Sequence, residues 1–286
     1  MTAQASLMPC GTRLHLHHGP IDLVIGADGD RGAAFAAARD RFATVLQELV
    51  AELPDLRAEM LADTSRPDGQ IARRMDAATR DVMHDGFITR MAAVAGSVAD
   101  TILQVMTGAA ELTRAYVNNG GDIAIHLAPG QSYATAMASP TGGDLGRITI
   151  RHGDAIRGIA TSGRHGRSHS LGIADSVTVL ARTAAQADVA ATLIANAVDL
   201  PGHAGIRRRP ASDLSDDSDL GSLPVVVGCD PLSEAEVAAA LACGLDRAQS
   251  FVDRKLIAGA ALFLQGDSRM TGCRHFSSAQ RRVELA

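Results

Sequence analysis

Apolar residues along this chain recur with two different periods. Alternating runs at 13–18 and 21–27 flank Gly19-Pro20 and predict two short strands around a turn. Beyond residue 30 the period changes. Phe35, Ala38, Phe42, Val45, Leu46 and Leu49 recur at three- and four-residue spacing, which predicts a helix over 30–53 that Pro54 ends or kinks. A second helical piece is expected over 70–83 and a third over 91–106. The third begins almost bare of side chain, with Ala92, Ala93, Ala95, Gly96, Ser97 and Ala99. Small residues admit a second backbone or a ligand at close range, and both readings stay open at this point.

A strand-rich centre follows, with expected strands at 115–118, 123–127, 133–138, 147–151, 158–161 and 176–181. Thr183 precedes a helix over 184–198, and Gln186 three residues later completes a capping-box pattern. The Pro-, Ser-, Asp- and Arg-rich segment 201–223 reads as a long exposed loop. A strand over 225–229, a helix over 233–251 and a strand over 257–265 close the pattern. Helices interleaved with antiparallel hairpins predict an α+β class. There is no short-period repeat, and a single domain over 1–286 is expected.

Composition narrows the function classes. Hydrophobic residues make up 46% of 286 and aromatic residues 3%, so the core is expected to be aliphatic rather than absent. The net charge of −5 argues against a nucleic-acid grip through phosphate neutralisation. Lys255 is the only lysine, which leaves no second amine for Schiff-base chemistry. Cys10, Cys229, Cys243 and Cys273 are far apart and form no CxxC pair, so they read as free thiols of a cytoplasmic protein. No run reaches the ~18 consecutive apolar residues of a membrane span. A homodimer is expected from the frequency of two-fold oligomers alone.

Four motifs carry candidate chemistry. Asn118, Gly120, Gly121 and Asp122 interrupt two strand-like runs. They read either as a hairpin turn or as a loop whose amides face a ligand. Thr161, Ser162 and Gly163 end a strand in two hydroxyls and a glycine, followed by Arg164, Arg167 and Ser168. That arrangement suits an anion, or it is a solvated turn. Asp188 and Thr192 lie one helical turn apart, able to offer two oxygens to a hard cation or to satisfy helix amides and carbonyls. His15 and His17 share a strand face, but two imidazoles without a third ligand make an incomplete metal site.

In this order the segments resemble the ApbE superfamily of FAD:protein FMN transferases. The likeness is greatest to an ApbE-like branch labelled thiamine-biosynthesis-type, whose substrate is not established. Gly96 and Asp100, Val117 to Asp122, Thr161 to Gly163, and Ala187 to Thr192 match the superfamily's motifs. The resemblance implies antiparallel sheets with packed helices and two related, T-fold-like halves. It implies FAD or FMN as ligand, contacted by Asn118, Gly120, Gly121, Asp122, Thr161, Ser162, Gly163, Ser168 and Asp175. It also implies magnesium held by Asp188 and Thr192, with the main-chain oxygen of Ala92. The chain departs from the family pattern as well. Ala95 stands where the transferases carry Lys or Glu, Thr89 stands where they carry Asp, and an H-x-x-D-P-x-T-G segment is missing. The leading expectation is a protein that binds a flavin-like or phosphorylated small molecule. A flavinyltransferase and a noncatalytic binding or assembly subunit are the alternatives.

Overall fold

The computed structural model describes residues 2–139 and 142–277. The chain begins with strands β1 (Gln4–Leu7), β2 (Arg13–His18) and β3 (Ile21–Gly29), then helices α1 (Arg31–Ala51), α2 (Leu53–Arg57), α3 (Gln70–Arg80) and α4 (Val94–Ala109). Strands β4 (Leu112–Asn119), β5 (Asp122–Leu127), β6 (Ser132–Ala138), β7 (Asp144–Arg151), β8 (Gly158–Ser162) and β9 (Ser176–Ala181) precede helix α5 (Ala184–Ala197). The chain continues with β10 (Ile206–Pro210), β11 (Pro224–Cys229), helix α6 (Glu234–Asp253), β12 (Gly259–Leu264), β13 (Asp267–Thr271) and β14 (Phe276–Ser277). Its class is α+β, with antiparallel sheets.

Internal contacts divide the chain into two compact units. The first takes the chain to Tyr133 with Ile150–Ala160 and Leu180–Val189; the second takes Ala134–Thr149, Thr161–Val179 and the chain from Ala190 on. In the first unit the strands run in the order β1-β2-β3-β4-β5-β8. The β4–β5 hairpin is in register, with Asn119 opposite Asp122 and Val117 opposite Ala124. Helices α1 and α4 pack on this sheet and on each other. The expected three-four face of α1 is the one that is buried, through Ala34, Phe35, Ala38, Phe42, Val45 and Leu49. Asp30 caps that helix by accepting a hydrogen bond from the Ala33 amide at 3.1 Å. Helix α4 is entered through a 3-10 turn, Arg90–Ala93. The segment Arg90–Ala109 is long and apolar enough to cross a membrane by length and composition, yet half of its most apolar window is buried inside the protein. Val98, Ala99, Ile102 and Met106 are fully covered, as in a core helix.

In the second unit β9, β12 and β13 are neighbours in that order, β14-β7-β6 forms a small sheet, and β10 pairs with β11. Every residue of β12 is buried, which explains its unbroken apolar run. Ser233 and Glu236 form a complete capping box at the start of α6.

The sequence expectations differ from the fold at identifiable places. The segment 201–223 is not one long loop, because Ile206–Pro210 pairs antiparallel with Pro224–Cys229. Its arginines hide the strand from hydrophobic patterning. Arg207 is held by Asp230 at 2.6 Å and Arg208 by Asp199 at 2.5 Å, so carboxylates take the place of apolar neighbours. The Thr183–Gln186 capping box is half made. The Thr183 hydroxyl accepts the Gln186 amide hydrogen at 3.2 Å, while the Gln186 Oε1 is buried without a hydrogen bond. Strands β1 and β13 lie outside the expected elements; every residue of β1 is exposed, so no apolar alternation marks it.

Candidate functional site

The β4–β5 turn, the start of α4 and the start of α5 meet within the first unit. Gly120 and Gly121 close the hairpin with φ of +67° and +118°, the conformation a two-residue turn requires. The Asn118 side-chain oxygen accepts the Gly121 amide hydrogen at 2.9 Å. Asn119, one residue on, points the other way, and its Nδ2 donates to the Ala95 carbonyl at 3.1 Å. Asn119 thus ties the turn to the small-residue helix, a role the sequence reading did not assign. The signal was available. Strand alternation puts Asn119 on the same buried face as Val117.

Gly96 lets α4 and α5 touch. A Cβ there would lie 2.3 Å from the Ala184 carbonyl oxygen and 2.6 Å from the Ala185 nitrogen. Gly158 has the same role on the sheet side, where a Cβ would lie 2.1 Å from the Thr183 carbonyl oxygen. The small residues therefore serve helix packing, the first of the two readings open in the sequence. Asp100, one turn beyond Gly96, accepts the amide hydrogens of Ala184 at 3.1 Å and Ala185 at 3.0 Å. These are the unsatisfied donors at the start of α5. Burial nonetheless pushes the Asp100 carboxyl above its ordinary range, against those two hydrogen bonds.

Asp188 sits at the centre of this arrangement. Its Oδ2 accepts the Gly96 amide hydrogen at 3.0 Å. Burial pushes its carboxyl well above the ordinary range, and the charge of Asp122 pushes it further; the Gly96 and Ala95 amides oppose both. The residue is half-buried, and its carboxyl lies against the start of α4. The strongest electrostatic influences on it are two carboxylates and two amides, with no cationic side chain among them. Carboxylates brought together in this way suit a hard divalent cation, which would repay the repulsion that now favours a proton.

The other expected site residues stand as follows. Ala92 lies in the 3-10 turn before α4, and Thr192 lies one turn beyond Asp188 on α5. In the second unit, the Thr161 hydroxyl pairs with that of Thr178 at 3.1 Å, Ser162 is half-buried and Ser168 is exposed. Gly163 is required at its position, because with φ +152° a Cβ would lie 2.6 Å from the Asp175 carbonyl oxygen. Asp175 is heavily engaged. It pairs with Arg164 at 2.5 Å and with His165 at 3.3 Å, and it accepts the Gln265 amide hydrogen at 2.5 Å. His15 and His17 both face Asp22, at 3.1 and 3.4 Å. Among the described residues no group of three or more His, Cys, Asp or Glu is placed to hold a metal. Any cation at Asp188 would therefore draw on main-chain, hydroxyl or ligand oxygens as well.

The fold is α+β with antiparallel sheets, and it is shared with solved ApbE proteins. Over 94% of its length the chain aligns with 97% of the ApbE protein of Thermotoga maritima, at 12% identity and a TM-score of 0.50, a likeness of fold alone. A family model described as "AbpE bacteria" matches residues 5–270, and the chain belongs to that family. A UPF0280 protein of Methanothrix thermoacetophila is 39% identical over 119 residues, covering 38% of this chain and 45% of the relative. A UPF0280 protein of Methanothermobacter thermautotrophicus is 36% identical over 136 residues, covering 46% and 49%. The chain thus spans under half the length of these curated relatives.

Proposed function

We propose that the protein binds a flavin nucleotide, FAD or FMN, with magnesium held at Asp188. The observation that carries the reading is the Asp188 carboxylate held against the start of α4 and raised by burial and by Asp122, in a family whose fold is that of ApbE. Thr192 and the Ala92 main-chain oxygen are the further oxygens it would draw on. Bound magnesium supplies charge neutralisation at a pyrophosphate. The protein's own groups do the positioning. Asp100 and Gly96 fix the start of α5 against α4, and the Asn119 bond to Ala95 fixes the glycine turn beside them.

Transfer of FMN to a partner protein is not part of this proposal. Ala95 offers no charged side chain where the transferases carry Lys or Glu, and its carbonyl is already bonded to Asn119. The experiment is calorimetric titration with FAD, FMN and adenine nucleotides, each with and without magnesium. FAD binding strengthened by magnesium and weakened in Asp188→Asn is the expected result. Absence of flavin binding under every condition removes the reading. Mass spectrometry of an acceptor domain incubated with FAD separates binding from transfer, because transfer adds the mass of FMN.

A further inference from the structure

A recess of about 390 Å³ lies in the first unit, around the start and outer face of α3. Arg66, Arg73 and Arg80 line it, with Asp68 and Asp76 as the acidic members. Pro67 and Ala77 supply apolar wall. The carboxylates do not cancel the guanidiniums. Asp76 is shared with a fourth arginine, the buried Arg90, which it meets at 2.7 Å, and it meets Arg80 at 2.7 Å through its other oxygen. Burial works to raise the Asp76 carboxyl, but the bonds from Arg80 and Arg90 outweigh it and hold the group below its ordinary range. That triad is therefore a net monocation. Glu52, behind the start of α3, accepts the amide hydrogens of Asp68 and Gly69, both at 2.8 Å.

The arginines differ in how far they are committed. Arg80 is rigidly held, donating to Asp76 and, at 2.6 Å, to the Thr64 carbonyl. Arg73 donates its Nε to the Pro67 carbonyl at 3.2 Å and faces Asp68 only at 3.8 Å, with both side chains largely in solvent, which leaves its terminal nitrogens unsaturated. Arg66 makes no ion pair or hydrogen bond among the described residues. One preorganised guanidinium and two exposed ones around a concave, part-apolar recess match a multidentate oxyanion.

We propose that this recess binds a phosphate-class polyanion, through Arg66 and Arg73 with Arg80 as the fixed donor. This site is independent of the flavin reading and needs no metal. The test is calorimetric titration of the full chain with inorganic pyrophosphate in EDTA, comparing wild type, the Arg66→Ala/Arg73→Ala double variant and Asp188→Asn. Both substituted arginines are exposed, so the double variant keeps its fold, and its unchanged thermal transition documents this. Saturable binding is expected, falling with added salt, weakened by about tenfold or more in the double variant and unaltered in Asp188→Asn. No saturable binding to wild type, equal affinity in the double variant, or loss of binding in Asp188→Asn would overturn the proposal.

Discussion

Replacing Gly96 by alanine tests how closely α4 packs on the start of α5. Helix propensity alone favours alanine by roughly 1 kcal/mol in a helix interior. Packing opposes it. The new Cβ would sit 2.3 Å from the Ala184 carbonyl oxygen, and an ordinary contact begins near 3.4 Å, so α4 and the start of α5 must separate by about 1 Å. The obstructing atoms are backbone, which cannot rotate away. Overpacking of this kind costs about 1–3 kcal/mol. The same movement stretches the 3.0 Å bond from the Gly96 amide to Asp188, and a buried polar group left unmatched costs a further ~1–3 kcal/mol. The net expectation is a loss of about 1–5 kcal/mol. Gly108 in the same helix is the control, because a Cβ there meets nothing within 4 Å. Denaturant unfolding should show Gly96→Ala destabilised and Gly108→Ala unchanged or more stable by up to roughly 1 kcal/mol. Equal stability of the two variants would refute the close helix contact.

Three further outcomes follow from the charges. The folded state holds the Asp188 proton more tightly than the unfolded chain, so that group's contribution is complete below its unfolded value of 3.8 and is lost as pH rises through the folded one. In metal-free buffer the stability of Asp188→Asn relative to wild type should therefore rise as pH climbs above about 4; a wild type that grows more stable relative to the variant with rising pH contradicts this. Asp76→Ala strands the buried Arg90 guanidinium and should cost about 3–5 kcal/mol in urea unfolding, whereas a loss below about 1 kcal/mol would deny that the triad is buried. Hydrogen bonds from Arg13 and then Thr12 draw the exposed Cys10 thiol down to about 6. Peptide-resolved alkylation should show a rate midpoint there and a shift toward 9.0 in Arg13→Ala, and an unmoved midpoint would rule out the arginine's role.

Much of the fold was legible because burial follows periodicity. The α1 face, the β4–β5 hairpin and the all-buried β12 could be read from spacing alone. Strand β10 could not, since Arg207 and Arg208 are satisfied by Asp230 and Asp199, and nothing in the local pattern marks either carboxylate as their partner. Gly96 and Asp188 stood out as members of short ordered motifs, and the structure brings them into hydrogen-bond contact. The meaning of Gly96 emerges only from its contact with Ala184, whereas strand alternation already marked Asn119 as inward-facing and only its partner Ala95 was hidden. Asp100 shows the same limit. An acid inside a helix carries no mark that it caps a different helix 84 residues away.

The central claim is that Asp188 holds a divalent cation beside a flavin nucleotide. The most direct measurement is anomalous diffraction from crystals grown with FAD and manganese, which stands in for magnesium. An anomalous peak against the Asp188 carboxylate is expected in the FAD-bound protein. Bound FAD with no peak at Asp188, or a manganese peak elsewhere only, would contradict it.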